Sequence, residues 1–245
     1  MRKTVKLLID NLRTFLREKF HQYDVTLPYI ITVVVALIVV VVGINLFIEL
    51  TETLKSDLLA EYDQQITEYV ISHRSEALTT YFVFVTHVGD IYGYAIVLIV
   101  FAGLSYFVFK QWKLMLQVFF VLALSAISNL ILKRFVDRAR PGIEHMVSVE
   151  TLSYPSGHAM SAMAFYGFLM YLIYRFRINS YLKYGIIFLL GVLILSIGLS
   201  RIYLGVHFPS DIAGGFIAGF IWVVFCILIF DLIEVFRRDP QTPSV

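Results

Sequence analysis

Ser200-Arg201-Ile202-Tyr203-Leu204-Gly205-Val206-His207-Phe208-Pro209-Ser210-Asp211 is a polar stretch set between two apolar runs, 184–199 and 212–236. It brings a guanidinium, an imidazole and a carboxylate together within twelve residues. Ionisable groups at the edge of hydrocarbon-compatible sequence are costly to place, which makes them candidates for function before solvated decoration. The runs on either side fix the fold class, because a helix needs about 20 mostly apolar residues to cross a hydrocarbon core of about 30 Å.

Outward from that stretch, the same pattern recurs. Of the 245 residues, 59% are hydrophobic and the mean hydropathy is +0.79, beyond what a soluble core requires. Six candidate spans emerge, at 28–50, 91–109, 114–132, 159–174, 184–199 and 212–236, the fourth and fifth short enough to extend into their flanks. The expectation is an all-α polytopic membrane protein in a single domain, 1–245. Residues 1–25 place Val5, Leu8, Ile9, Leu12 and Leu16 at helical spacing with Lys6, Arg13, Arg17 and Lys19 on other faces, which reads as a cytoplasmic amphipathic segment at the interface. The run from residue 28 is too long for a signal-peptide core and no small-residue cleavage site follows, so it reads as a signal anchor.

Between residues 51 and 76, Leu58, Leu59, Tyr62, Ile66, Tyr69 and Val70 follow helical spacing and suggest an outer amphipathic helix resting on the membrane. The run 77–88 is too short to span and is separated from the second crossing by Gly89-Asp90, as in a segment that dips and turns back. No repeat, low-complexity tract or linker marks a second domain. Cys226 is the one cysteine, so neither a disulfide framework nor a cysteine metal site can form within the chain. The net charge of +2 is too small to point to nucleic acid.

Charge distribution orients the chain. Of the 20 Lys and Arg, thirteen fall in the first flank and the alternate loops that share its side, and seven fall opposite. The positive-inside rule then places both termini in the cytoplasm of a multi-pass cell-membrane protein. Five of the seven opposite cations cluster after the third span or before the sixth, where topology does not call for them. On this topology three polar clusters converge at the outer face: Lys133-Arg134-Phe135-Val136-Asp137-Arg138-Ala139-Arg140-Pro141, Tyr154-Pro155-Ser156-Gly157-His158, and the opening stretch.

Such a set suits a phosphoryl group. Lys133, Arg140 and Arg201 supply fixed positive charge, and Ser156 and Gly157 supply a hydroxyl and an approachable backbone N–H at a helix start. Phosphoryl transfer asks for stabilised equatorial oxygens, an in-line nucleophile and a protonated leaving group. His207 is the candidate nucleophile, His158 the acid and then the base that activates water, and Asp211 the carboxylate that fixes the tautomer of His207 from the first turn of a helix opened by Pro209. The three cations would repel a divalent ion, so no metal is expected.

These residues carry a resemblance. Lys133, Arg140 and Pro141 match Lys-x6-Arg-Pro, Pro155 to His158 match Pro-Ser-Gly-His, and Ser200, Arg201, His207 and Asp211 match Ser-Arg-x5-His-x3-Asp. The chain thus resembles the type 2 phosphatidic acid phosphatase family of membrane lipid phosphatases. The resemblance implies a cofactor-free, metal-independent phosphatase with a phosphohistidine intermediate, acting on a lipid phosphate or diphosphate at the outer membrane face. Phosphatidylglycerophosphate, phosphatidic acid and undecaprenyl diphosphate are the substrates it suggests, with outward orientation favouring the last.

Two other functions use the same residues. A lipid phosphotransferase would hand the phosphoryl group to a second lipid, and a non-catalytic lipid-phosphate binder would need only the cations. Outside the motifs, Arg134, Asp137 and Arg138 read as headgroup contacts or solvated charge, and His21, His73 and His145 as surface residues. His87 is a candidate for the site entry. Ser125, Ser128 and Asn129 read as interhelical hydrogen bonds. Gly215-Phe216-Ile217-Ala218-Gly219 has small-residue spacing that reads as internal helix packing rather than dimerisation.

Overall fold

The computed structural model describes residue 14, 27–108, 110–136, 138–143, 145–147 and 152–237. The expected amphipathic segment 1–25 and Asp137 lie outside these residues, apart from Thr14, which is helical. From residue 27 on, the described residues form eight helices: α1 (Leu27–Thr53), α2 (Asp57–Ser72), α3 (Glu76–Val88), α4 (Ile91–Phe107), α5 (Lys113–Phe135), α6 (Gly157–Arg175), α7 (Ser180–Tyr203) and α8 (Pro209–Arg237). No strand occurs among the described residues. The fold is all-α and the protein is a multi-pass membrane protein.

Local chemistry sets the helix starts. Ser56, Ser75, Asp90, Ser156 and Asn179 each accept a hydrogen bond from a backbone N–H of the turn that follows, satisfying groups that have no intrahelical partner. α8 instead opens on Pro209, whose missing N–H costs nothing at that position. At the far end of α7 the chain reverses through Gly205, whose φ of 79° is open to glycine at little steric cost.

Among the described residues four helices are long and apolar enough to cross a membrane, namely α1, α5, α7 and α8, and the α3–α4 pair makes five if it is one broken span. The fourth expected span, 159–174, coincides with α6, which falls short on apolarity. Its residues from Ala159 to Leu172 are largely buried against neighbouring helices rather than turned to lipid, and an enclosed helix has no need of a uniformly apolar surface. α5 and α7 pack on it. α8 packs so closely that a Cβ at Gly219 would lie 2.5 Å from the Met160 carbonyl oxygen, and one at Gly215 would lie 2.7 Å from that of Ser156. The small-residue spacing therefore serves packing inside the bundle.

α3 and α4 meet at a 61° bend at Gly89-Asp90. A Cβ on Gly93 would come within 2.5 Å of the carbonyl oxygens of both His87 and Val88, so the tightness of this corner depends on that glycine. α2 is present, but its inner row differs from expectation. Leu59 and Val70 are half-buried, and between them the buried positions are Asp63 and Thr67, while Leu58, Tyr62, Ile66 and Tyr69 are exposed. The α2–α3 junction is tied to the end of α7, where Arg74 donates twice to the Tyr203 carbonyl (2.8 and 3.0 Å) and the Tyr203 hydroxyl accepts from Ser75 N–H (2.9 Å).

The backbone forms two compact units, one comprising residues 42–223 and the other the terminal segments up to Val41 and from Val224. In the terminal unit the α1 residues Ile31, Val34, Val35 and Ile38 are exposed, as suits a lipid-facing helix. The three polar clusters and the helix ends that carry them lie within residues 42–223.

Candidate active site

Four helix ends meet at one end of the bundle. Lys133 lies in the last turn of α5, Gly157 and His158 open α6, Arg201 lies in the last turn of α7, and Asp211 lies in the first turn of α8. The loop between α5 and α6 adds Arg140. Lys133 and Arg140 are tied to one backbone carbonyl, that of Leu152, at 2.8 and 3.5 Å.

His207 is 2% exposed and held at both ring nitrogens. Nδ1 lies 3.3 Å from Oδ2 of Asp211, and Nε2 lies 3.3 Å from Nη1 of Arg140, which also donates to the Val206 carbonyl at 2.7 Å. A guanidinium can only donate, so Nε2 is the acceptor and Nδ1 carries the proton. Burial pulls the imidazole pKa down to about 4 against the opposing pull of Asp211, leaving the ring neutral at physiological pH with its Nε2 lone pair toward the cations. Burial also holds the Arg140 guanidinium below its ordinary pKa, with Asp211 opposing.

Asp211 is fully buried and surrounded by donors. Its Oδ2 accepts from Phe208 N–H at 2.9 Å and from the Ser153 hydroxyl, and Oδ1 pairs with Arg138 at 2.6 Å. Arg138 also pairs with Asp63 at 2.7 Å and lies over the Phe208 ring, 4.6 Å from its centroid. Arg138 is therefore no solvated charge: its side chain is 15% exposed and bridges two buried carboxylates. Breaking a buried pair of this kind typically costs about 3–5 kcal/mol.

Arg201 is 4% exposed and donates to the Thr86 hydroxyl at 2.6 Å, while its Nε is buried without a hydrogen-bond partner. Buried guanidinium N–H groups are ordinarily satisfied. His158 lies on the same side of the bundle, its Nε2 3.8 Å from Oδ1 of Asp90. Ser156 caps α6 through its hydroxyl, and its N–H donates to the Asp211 carbonyl at 3.1 Å, which fixes α6 against α8. Gly157 leaves room for Asn129, whose Oδ1 would lie 2.9 Å from a Cβ there. Asn129 donates to the Pro155 carbonyl at 3.1 Å and to Sδ of Met160 on α6 at 3.7 Å, so it braces the loop as well as bonding across to the next helix. His87 is exposed beside this corner.

Side chains outside the motifs join this set: Thr86, Asp90, Arg138 and Ser153 touch it directly, and Asp63 reaches it through Arg138 and Ser210. Only Arg138 carried a signal in the sequence, as a cation two residues before Arg140. Together the site offers cations, a neutral imidazole held by a buried carboxylate, and a second imidazole paired with another. That constellation, at one end of a membrane helix bundle, is suited to binding a tetrahedral oxyanion and attacking its central atom.

Comparison with known proteins gives the family. Residues 114–233 match the model of the PAP2 superfamily. Phosphatidylglycerophosphatase B of Bacillus subtilis (strain 168) is 31% identical over 194 residues, covering 78% of this chain and 90% of the relative. The crystal structure of a transmembrane PAP2-type phosphatidylglycerolphosphate phosphatase from Bacillus subtilis superposes with a TM-score of 0.74 at 27% identity, covering 81% of this chain and 98% of that one. Aquifex aeolicus LpxE shares the fold at a TM-score of 0.51 and 22% identity, over 67% of this chain and 93% of its own. The fold and site define a membrane lipid phosphatase, a phosphoric monoester hydrolase. The chain belongs to the PAP2 superfamily.

Proposed function

We propose that this phosphatase cleaves a lipid phosphate or diphosphate through a phosphohistidine on His207, without a metal. The observation that carries this reading is the seating of the His207 ring: Nδ1 lies 3.3 Å from the Asp211 carboxylate and Nε2 lies 3.3 Å from the Arg140 guanidinium, a donor, which assigns the proton to Nδ1 and the lone pair to Nε2. Nε2 attacks phosphorus as the P–O bond to the lipid breaks, and His158 delivers a proton to the departing oxygen. His158 then removes a proton from water, whose oxygen bonds to phosphorus as the N–P bond breaks, releasing inorganic phosphate.

Lys133, Arg140 and Arg201 hold the equatorial oxygens, and the unpartnered Nε of Arg201 gives one of them a donor. Ser156 and Gly157, at the start of α6, add a hydroxyl and the positive end of the helix dipole. The oxygens of Asp211 already accept from Arg138, Phe208, Ser153 and His207, which leaves little capacity for a metal ion.

A lipid substrate fits the surroundings. An apolar cavity of about 340 Å³, lined by Ile44, Phe47, Ile131, Leu132, Ile221 and Trp222 among others, reaches the α5 residue next to Lys133. It would accept hydrocarbon beside a bound phosphate. Phosphatidylglycerophosphate is the substrate named in both Bacillus subtilis matches, and phosphatidic acid and undecaprenyl diphosphate present the same phosphoryl chemistry. With α6 counted as a crossing and α3–α4 as one broken span, the distribution of Lys and Arg supports a reading with the termini in the cytoplasm and the site on the outer face.

The deciding experiment measures inorganic phosphate release by detergent-purified protein from a panel of these lipids in excess chelator. Wild type should turn over and His207→Ala should lose at least about 10³-fold, as for loss of a covalent nucleophile. Chelator-sensitive activity, or full activity in the variant, defeats the mechanism. A phosphorylated lipid acceptor in place of free phosphate would mark a transferase, and binding without turnover a carrier.

A further inference from the structure

We propose that Asp63, on the outer helix α2, is a positioning residue for the His207–Asp211 pair, acting through Arg138 and Ser210. The inference rests on the reading of His207 as nucleophile and adds to it an element that the three motifs do not contain.

The geometry is a branched chain of charge. Asp63 Oδ2 pairs with Arg138 Nη2 at 2.7 Å, and Arg138 Nη1 pairs with Asp211 Oδ1 at 2.6 Å. Asp211 Oδ2 in turn faces His207 Nδ1 at 3.3 Å. A second branch runs through Ser210, whose N–H donates to Asp63 Oδ1 at 2.9 Å and whose hydroxyl donates to Asp63 Oδ2 at 2.5 Å while accepting from Arg138 at 2.7 Å. Asp63 is 2% exposed, on a helix whose Leu58, Tyr62 and Tyr69 are exposed. A surface helix that turns a carboxylate inward while apolar side chains stay outside is holding that carboxylate for its partners.

Two effects follow. Ser210 lies in the first turn of α8, where N–H groups have no intrahelical acceptor. Asp63 is that acceptor, supplied from 147 residues away in the chain. It thereby fixes the turn that carries Asp211. Asp63 also shares the charge of Arg138. Without it the whole guanidinium charge would bear on Asp211, making Asp211 a poorer acceptor for Nδ1–H as the imidazole becomes cationic during attack. The row of Asp63, Arg138, Asp211 and a cationic His207 alternates in sign and sums to zero. Replacing Asp63 by a neutral residue leaves it net positive at the moment of phosphoryl transfer.

The test is a double-mutant cycle on the full chain in detergent, reading phosphate release from the best lipid of the panel, with the folded fraction measured by size exclusion. Asp63→Asn should lower kcat about 10- to 100-fold with KM within about threefold. The same substitution made in an Asp211→Asn background should cost less than about threefold, because its route of action is already gone. A kcat within twofold of wild type, or an undiminished loss in the Asp211→Asn background, overturns the inference. Where Asp63→Asn does not fold, Ser210→Ala removes only the hydroxyl that joins Arg138 to Asp63. It should lower kcat about 3- to 10-fold, again with little effect beside Asp211→Asn, and an unchanged kcat overturns the inference. The two readings fail differently: an active His207→Ala removes the nucleophile, whereas an inactive His207→Ala with a fully active Asp63→Asn removes only the role of Asp63.

Discussion

Asp90 and His158 face each other across the bend between α3 and α4, with Oδ1 3.8 Å from Nε2. The same bend supplies Thr86, whose hydroxyl accepts from Arg201 at 2.6 Å. A corner built by Gly89-Asp90 and Gly93 thus reaches two of the proposed functional side chains and belongs to the wall of the site.

This pairing predicts a selective defect. If His158 protonates the departing oxygen, the Asp90 carboxylate 3.8 Å from its Nε2 positions the ring for that transfer, and its loss weakens proton delivery. Asp90→Asn should lower kcat on a lipid monoester about tenfold. p-Nitrophenyl phosphate, whose leaving group needs no proton, should be affected less than about threefold. Equal losses on both substrates would show that Asp90 serves only to cap α4.

The corner itself carries the second prediction. A Cβ at Gly93 meets two backbone carbonyl oxygens at 2.5 Å, and backbone cannot step aside as a flexible side chain can. Gly93→Ala should therefore open the bend, lower the apparent melting temperature in detergent, and displace Thr86 and Asp90 together. A cost of about 1–3 kcal/mol is the usual scale of overpacking. Gly103→Ala on the same bent pair is the control, since nothing lies within 4 Å of the added methyl. Stability and kcat should fall in the first variant and hold in the second. Equal melting temperatures would show that the corner tolerates the methyl group.

Much of this was legible in the chain because its signals are local. Lys133, the run from Ser156 to His158, and the span from Arg201 to Asp211 sit at helix ends whose positions follow from apolar run length, and Arg140 lies in the loop between two of them. The rest depends on partners distant in sequence. Asp63 looks like any carboxylate on an amphipathic surface helix, and its burial is set by Arg138, 75 residues away. Thr86 and Asp90 resemble ordinary helix-end residues until the 61° bend turns them toward Arg201 and His158. The span count was ambiguous for a related reason: α6 is enclosed by other helices, so its own hydropathy understates how deep it lies.

The third prediction concerns pH and follows from the burial of His207. Its pKa of about 4 in the folded chain lies below the ordinary imidazole value of 6.5, because burial disfavours the cation more than Asp211 favours it. The unfolded chain therefore takes up a proton at higher pH than the folded one. The neutral buried ring contributes its full stability above about pH 6.5, loses it as pH falls toward 4, and changes nothing further below that. At 1.36 kcal/mol per pKa unit the swing is about 3 kcal/mol for this one group. His207→Asn, which keeps an amide donor for Asp211 but does not titrate, should remove that part of the acid sensitivity. Apparent melting temperatures in detergent at pH 7.5, 6, 5 and 4 supply the comparison, and the wild-type profile should be the steeper between 6.5 and 4. Parallel profiles would mean that His207 is protonated in the folded protein near its ordinary pKa, and the neutral nucleophile would lose its physical basis.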